Sequence, residues 1–119
     1  MSTDKKMLTV AAEEAIKGME RDKIRRQFML GAVGVRNDGV IVTSRNVASP
    51  DPAPNHHAET RLAKKLTPGS TVWVARVAKG TGGWAMSRPC PGCMRRLRAA
   101  GVERIVYTMG PNEWGVVKL

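Results

Sequence analysis

Four residues in two short stretches could do chemistry in this chain: His57 and Glu59 in His57-Ala58-Glu59, and the two sulfurs of Pro89-Cys90-Pro91-Gly92-Cys93. One imidazole and two thiolates are three of the nitrogen and sulfur ligands that tetrahedral zinc prefers, and a catalytic zinc leaves its fourth position to water. A zinc so held lowers the pKa of water towards neutrality. Glu59, which a three-ligand set does not need, is then the general base and acid that takes and returns a proton. The chain has only two cysteines and two histidines, so an all-cysteine site is excluded. A closed set would have to recruit His56, yet small zinc modules space their histidines roughly three to five residues apart. We read His56 as a loop or capping residue. A Cys-x-x-Cys alone also suits a zinc ribbon or a redox pair. The upstream His-Ala-Glu moves the reading to an open, hydrolytic metal site.

The surrounding residues supply elements able to position these groups. Pro91 stands where the first turn of a helix tolerates a missing N–H, Met94-Arg95-Arg96-Leu97-Arg98-Ala99-Ala100 is strongly helix-forming, and Gly101 is a natural stop. Residues 58–66 read as another helix, with Asn55 as a candidate cap and Thr67-Pro68-Gly69 as terminator. Both halves of the motif are thereby expected at helix starts. Upstream, Met7, Leu8, Ala11, Ala12, Ala15, Ile16 and Met19 recur at helical spacing over residues 7–19. Residues 28–35 read as a buried strand broken by Gly31 and Gly34. Asn37-Asp38-Gly39 is a hairpin turn, and residues 40–44 are the returning strand. Residues 71–78 are β-branched and alternating, Lys79-Gly80-Thr81-Gly82-Gly83 is a turn, and residues 102–108 and 115–119 are the last strands. The order α-β-β-α-β-α-β-β implies an α/β fold, a five-stranded mixed sheet with helices packed on it. The short 109–114 connection cannot make a parallel crossover, so the last two strands should be antiparallel.

At 119 residues the chain is expected to form one domain over 1–119. No apolar run is long enough to span a membrane and no signal-like segment opens the chain, so it reads as a cytoplasmic enzyme with no membrane partner. Its net charge of +10 implies attraction to phosphate, on a nucleotide or on a nucleic acid. One Phe, one Tyr and three Trp are a poor supply for a long base-stacking platform. The basic groups at 21–26, 61–65 and 95–98 could equally be solvated helix faces.

With the motif and element order in hand, the chain resembles the cytidine deaminase superfamily, nearly end to end. The resemblance implies the three-layer cytidine-deaminase-like fold, zinc on His57, Cys90 and Cys93, and Glu59 as proton shuttle. Asn46, eleven residues before His57, resembles the asparagine that hydrogen-bonds base or sugar in several branches; its other reading is a turn residue after a strand. Ala58 resembles the position whose backbone helps hold the base, and Ser87 is a weaker candidate to line the pocket. The antiparallel end is similar to the free-nucleoside deaminases, whereas the histidine of His57-Ala58-Glu59 is more typical of nucleotide and nucleic-acid branches. The first expectation is deamination of cytosine in a free nucleoside or nucleotide, within nucleotide metabolism. A deaminase of single-stranded DNA or RNA is the alternative, and a zinc-bearing nucleic-acid module without activity is a third reading that Glu59 disfavours. The resemblance also implies a homo-oligomer.

Overall fold

The computed structural model describes residues 3–20, 28–45, 58–78 and 83–119. Their elements are α1 (Thr3–Glu20), β1 (Phe28–Val35), β2 (Ile41–Arg45), α2 (Ala58–Ala63), β3 (Thr71–Ala78), β4 (Trp84–Ala85), α3 (Pro91–Ala99), β5 (Arg104–Gly110) and β6 (Glu113–Lys118). The strands form one mixed sheet in the order β2-β1-β3-β5-β6, with β4 paired to β3 off that path. β1 is antiparallel to both β2 and β3, β3 and β5 are parallel, and β5 and β6 are antiparallel, as the short connection requires. That connection is tighter than its sequence suggests: β5 and β6 turn through Pro111-Asn112, with Asn112 at φ 57°.

Three layers result. Leu8, Ala11, Ala12 and Ala15 of α1 are buried, and the alanines share a cluster with Met29 and Val33 of β1 and Ala75 and Val77 of β3. The opposite face is covered by Leu62 of α2 and Leu97 of α3, packed on Ala32, Val72, Val74, Ile105 and Tyr107. β1 is not broken at its glycines. Gly31 lies directly under α1, where a Cβ would fall onto the carbonyl oxygen of Ala11 and within 2.7 Å of the Ala15 nitrogen. Absence of a side chain there is what lets helix and sheet approach. The N-terminus of α1 is pinned by Asp4, which accepts hydrogen bonds from Trp73 Nε1 and Arg104 Nη1, both at 3.0 Å, and from Arg104 Nη2 at 2.6 Å.

Of the two helices that carry the motif, one ends short of the sequence reading and the other ends where it was expected. α2 stops at Ala63 instead of continuing to 66, because Lys65 and Leu66 donate to the carbonyls three residues back and tighten the end into a turn. α3 ends at Gly101 as expected: Gly101 takes φ 88°, and the Val102 N–H reaches back to the Leu97 carbonyl at 3.1 Å.

Candidate active site

The site is built where β3 and β5 part. Their parallel ladder runs from Thr71↔Arg104 to Val74↔Tyr107 and goes no further. Into the gap comes the segment after β4, and two hydroxyls replace the missing ladder. Ser87 Oγ accepts from the Thr108 N–H at 2.8 Å and lies 2.9 Å from the Val74 carbonyl, to which it donates. Thr108 Oγ1 donates to the Ala85 carbonyl at 2.7 Å, accepts from the Arg76 N–H at 3.2 Å and lies 2.8 Å from Ser87 Oγ. The Ser87 N–H donates to the Thr108 carbonyl at 2.9 Å. Ser87 and Thr108 are buried, so every one of these bonds is made away from competing water. The hydroxyl of Ser87 is thus spent on the seam, three residues ahead of Cys90.

From this anchor the chain lifts onto the α2/α3 face of the sheet. Arg88 lays its guanidinium 5.9 Å from the ring centroid of Tyr107, a cation–π contact on that face. Cys90 is the N-cap of α3, at φ −65° and ψ 162°, with Pro91 in the first turn. The Cys90 carbonyl accepts from the Met94 N–H at 2.8 Å, while its side chain makes no capping bond. Cys93 follows one turn later, 1 % exposed. Cys90 and Cys93 are not joined in a disulfide. Two cysteines three residues apart at a helix start, one exposed and one buried, are a donor pair suited to zinc.

α2 packs against both α3 and β2, and it opens at Ala58-Glu59, for which the backbone alone is described. The backbone of Ala58-Glu59 and the two cysteines are therefore brought to the same face of the sheet by neighbouring helices. His57, its neighbour His56, the candidate cap Asn55 and Asn46 lie outside the described residues. Asn46 directly follows the end of β2 at Arg45. The structure adds two things the sequence did not offer. The hydroxyl pair could not be found without strand pairing, because Thr108 reads as an ordinary β-branched strand residue. β4 is two residues long, too short to show a period.

A mixed five-strand path with one helix on one face and two on the other, the motif cysteines at the start of the second, defines a deaminase-like α/β fold. Over residues 1–109 the sequence matches the family described as the cytidine and deoxycytidylate deaminase zinc-binding region, and the chain belongs to that family. Its reaction is accordingly zinc-dependent hydrolytic deamination of a nucleobase amine. The fold is similar to that of cytidine deaminase from Burkholderia pseudomallei, at a TM-score of 0.60 and 20% identity, covering 99% of this chain and 93% of that one. It is likewise similar to the cytidine deaminases of Mycobacterium leprae (TM-score 0.60, 18% identity, 98% and 94% covered) and Mycobacterium tuberculosis (0.57, 20%, 93% and 90%). Among curated proteins, none matches the sequence. No helix among the described residues is long and apolar enough to cross a membrane.

Proposed function

We propose that this chain deaminates the cytosine of a free nucleoside or nucleotide, such as cytidine, deoxycytidine or deoxycytidylate, to its uracil form and ammonia. The observation that carries this reading is the placement of Cys90 and Cys93 at the start of α3, beside the α2 that opens at Ala58-Glu59. Cys90, Cys93 and His57 hold the zinc, which when bound acidifies water and stabilises negative charge on oxygen. The Glu59 carboxylate takes a proton from the attacking water and delivers it to the ring nitrogen. It then moves a second proton to the amine, so that the C–N bond breaks with ammonia leaving and a carbonyl remaining. The backbone at Ala58 and the side chain of Asn46 orient the base and sugar. Net charge of +10 draws a phosphorylated substrate. The protein acts in the cytoplasm, as a homo-oligomer.

A second reading has one observation in its favour. Gly92, Arg95, Arg96 and Ala99 line an open groove of about 390 Å³ along the exposed side of α3, and the first turn of that helix carries no acidic residue. Such a groove suits the phosphates of a single strand brought to the same site. The roles themselves are tested with Glu59→Ala: it should keep one zinc per chain and lose turnover. Loss of zinc along with activity would make Glu59 structural and defeat the assignment.

A further inference from the structure

The sheet path ends in β2 on one side and β6 on the other, and the two edges are finished differently. An edge strand turns the N–H and C=O of every second residue outward, a template for another strand unless something covers them. On β2 the bond from the Arg36 N–H to the Val40 carbonyl sets the phase of the ladder, so Ile41, Thr43 and Arg45 turn outward. The middle one is covered: Lys65, just past α2, donates from Nζ to the Thr43 carbonyl at 2.8 Å.

β6 has no such cover. The Leu119 N–H donates to the Glu103 carbonyl at 2.9 Å, which assigns Val117 and Gly115 to the ladder with β5 and turns the backbone groups of Trp114, Val116 and Lys118 away from it. Among the described residues nothing bonds to those outward groups. Val116 lies opposite Val106 and Trp114 opposite Thr108, on the α1 face of the sheet, where Trp114 packs on the cluster of Leu8, Trp73 and Val106. Val116, at the middle of the open edge, is left 44 % exposed.

What fits this edge is its own copy. A two-fold axis normal to the sheet sets two β6 strands antiparallel and keeps α1 on the same side of both. One register then pairs all three outward residues: Val116 on the partner's Val116 at the axis, and Trp114 on the partner's Lys118 to either side. Each pair exchanges both of its N–H···O bonds. The side chains suit that register. An exposed valine meets a valine, and Lys118, the strand's one cation, comes over the indole face of the partner's Trp114.

We propose that β6 is a self-association edge through which two copies of this chain join their sheets. The inference is independent of the chemistry at Cys90 and Cys93, and it gives the homo-oligomer proposed above a face and a register. A strand edge is a small contact, short of the roughly 1,000 Å² of a stable complex, so the dimer is weak and populated at about 100 µM protein. Each copy carries a net charge of +10, so the copies repel at long range, and salt that screens this repulsion should tighten the pair.

The experiment is sedimentation velocity of the zinc-loaded protein over about 5–500 µM, at about 50 and 500 mM salt. The wild type should pass from monomer to dimer, and further at the higher salt. Val116→Pro removes only an outward N–H, which an edge strand tolerates, so the dimer should be lost with the melting temperature nearly unchanged. Val116→Lys sets two ammonium groups against each other at the axis and should weaken association about tenfold, whether or not the proline variant folds. Thr9→Lys, on the exposed side of α1, adds the same charge elsewhere and should leave most of the association intact. A wild type monomeric throughout overturns the proposal and the homo-oligomer with it. A dimer that survives Val116→Lys overturns the proposal alone, because the copies then meet at another face. Association that salt weakens overturns it as well.

Discussion

Acid should loosen the attachment of α1 to the sheet, and the effect can be assigned to one carboxylate. Asp4 receives both Arg104 nitrogens and the Trp73 indole, with side-chain exposures of 20% for Asp4 and 34% for Arg104. The hydrogen bonds from Arg104 hold its carboxyl below the usual carboxylate range, aided by the Trp73 bond and opposed by partial burial. The depressed folded pKa fixes the sign. The ionised form contributes stability that is fully present above the unfolded pKa and disappears as pH falls through the folded value. Discounted for solvent screening, a partly exposed bidentate pair is worth about 1 kcal/mol. Asp4→Asn removes that charge but keeps an oxygen to accept from Trp73. Asp4→Ala also strands the indole N–H of a residue only 5 % exposed, a further cost of about 1–3 kcal/mol. Urea denaturation followed by tryptophan fluorescence should therefore rank wild type above Asp4→Asn above Asp4→Ala at neutral pH. The gap between wild type and Asp4→Asn should hold down to about pH 5 and shrink steadily below about pH 4. The step between the two variants should persist. A gap that widens on acidification would refute the sign argument, and coincident variants would refute the role of Trp73.

Two other substitutions probe the layers that carry the site. Gly31→Ala places a methyl group against the backbone of Ala11 and Ala15, which cannot swing aside; α1 must shift, at a cost of about 3 kcal/mol, and a melting temperature within a degree or two of wild type would contradict the packing. Ser87→Ala unpairs the Thr108 N–H and the Val74 carbonyl in the β3/β5 seam, so stability should fall by about 1–3 kcal/mol and a chelator should strip zinc more readily. Equal zinc retention would show that the seam does not position Cys90.

Much of this was legible in the sequence because several local signals agreed. Pro91, the helix-forming run behind it and Gly101 bracket α3, and each does there what its chemistry suggests. Asn37-Asp38-Gly39 makes the β1–β2 turn, with Gly39 at φ 88°. The antiparallel end followed from connection length alone. What the sequence hid depends on contacts between distant segments. Gly31 looks like a break in a strand until α1 is laid across it, and only then does the missing Cβ become a packing requirement. Ser87, weakly a pocket residue by resemblance, turns its hydroxyl into the seam instead. Such features have no period and no local motif.

The central claim is that the chain uses zinc, held by His57, Cys90 and Cys93, and Glu59 to deaminate small cytosine compounds. Its most direct test is ammonia release by the zinc-loaded protein, with Glu59→Ala as the blank. The substrates are cytidine, deoxycytidine, their monophosphates, adenosine, guanine, a cytosine-bearing DNA single strand and tRNA. Our account predicts turnover on the free cytosine nucleosides or nucleotides, abolished in Glu59→Ala. Turnover confined to the polymers, or equal ammonia release by the blank, would contradict it.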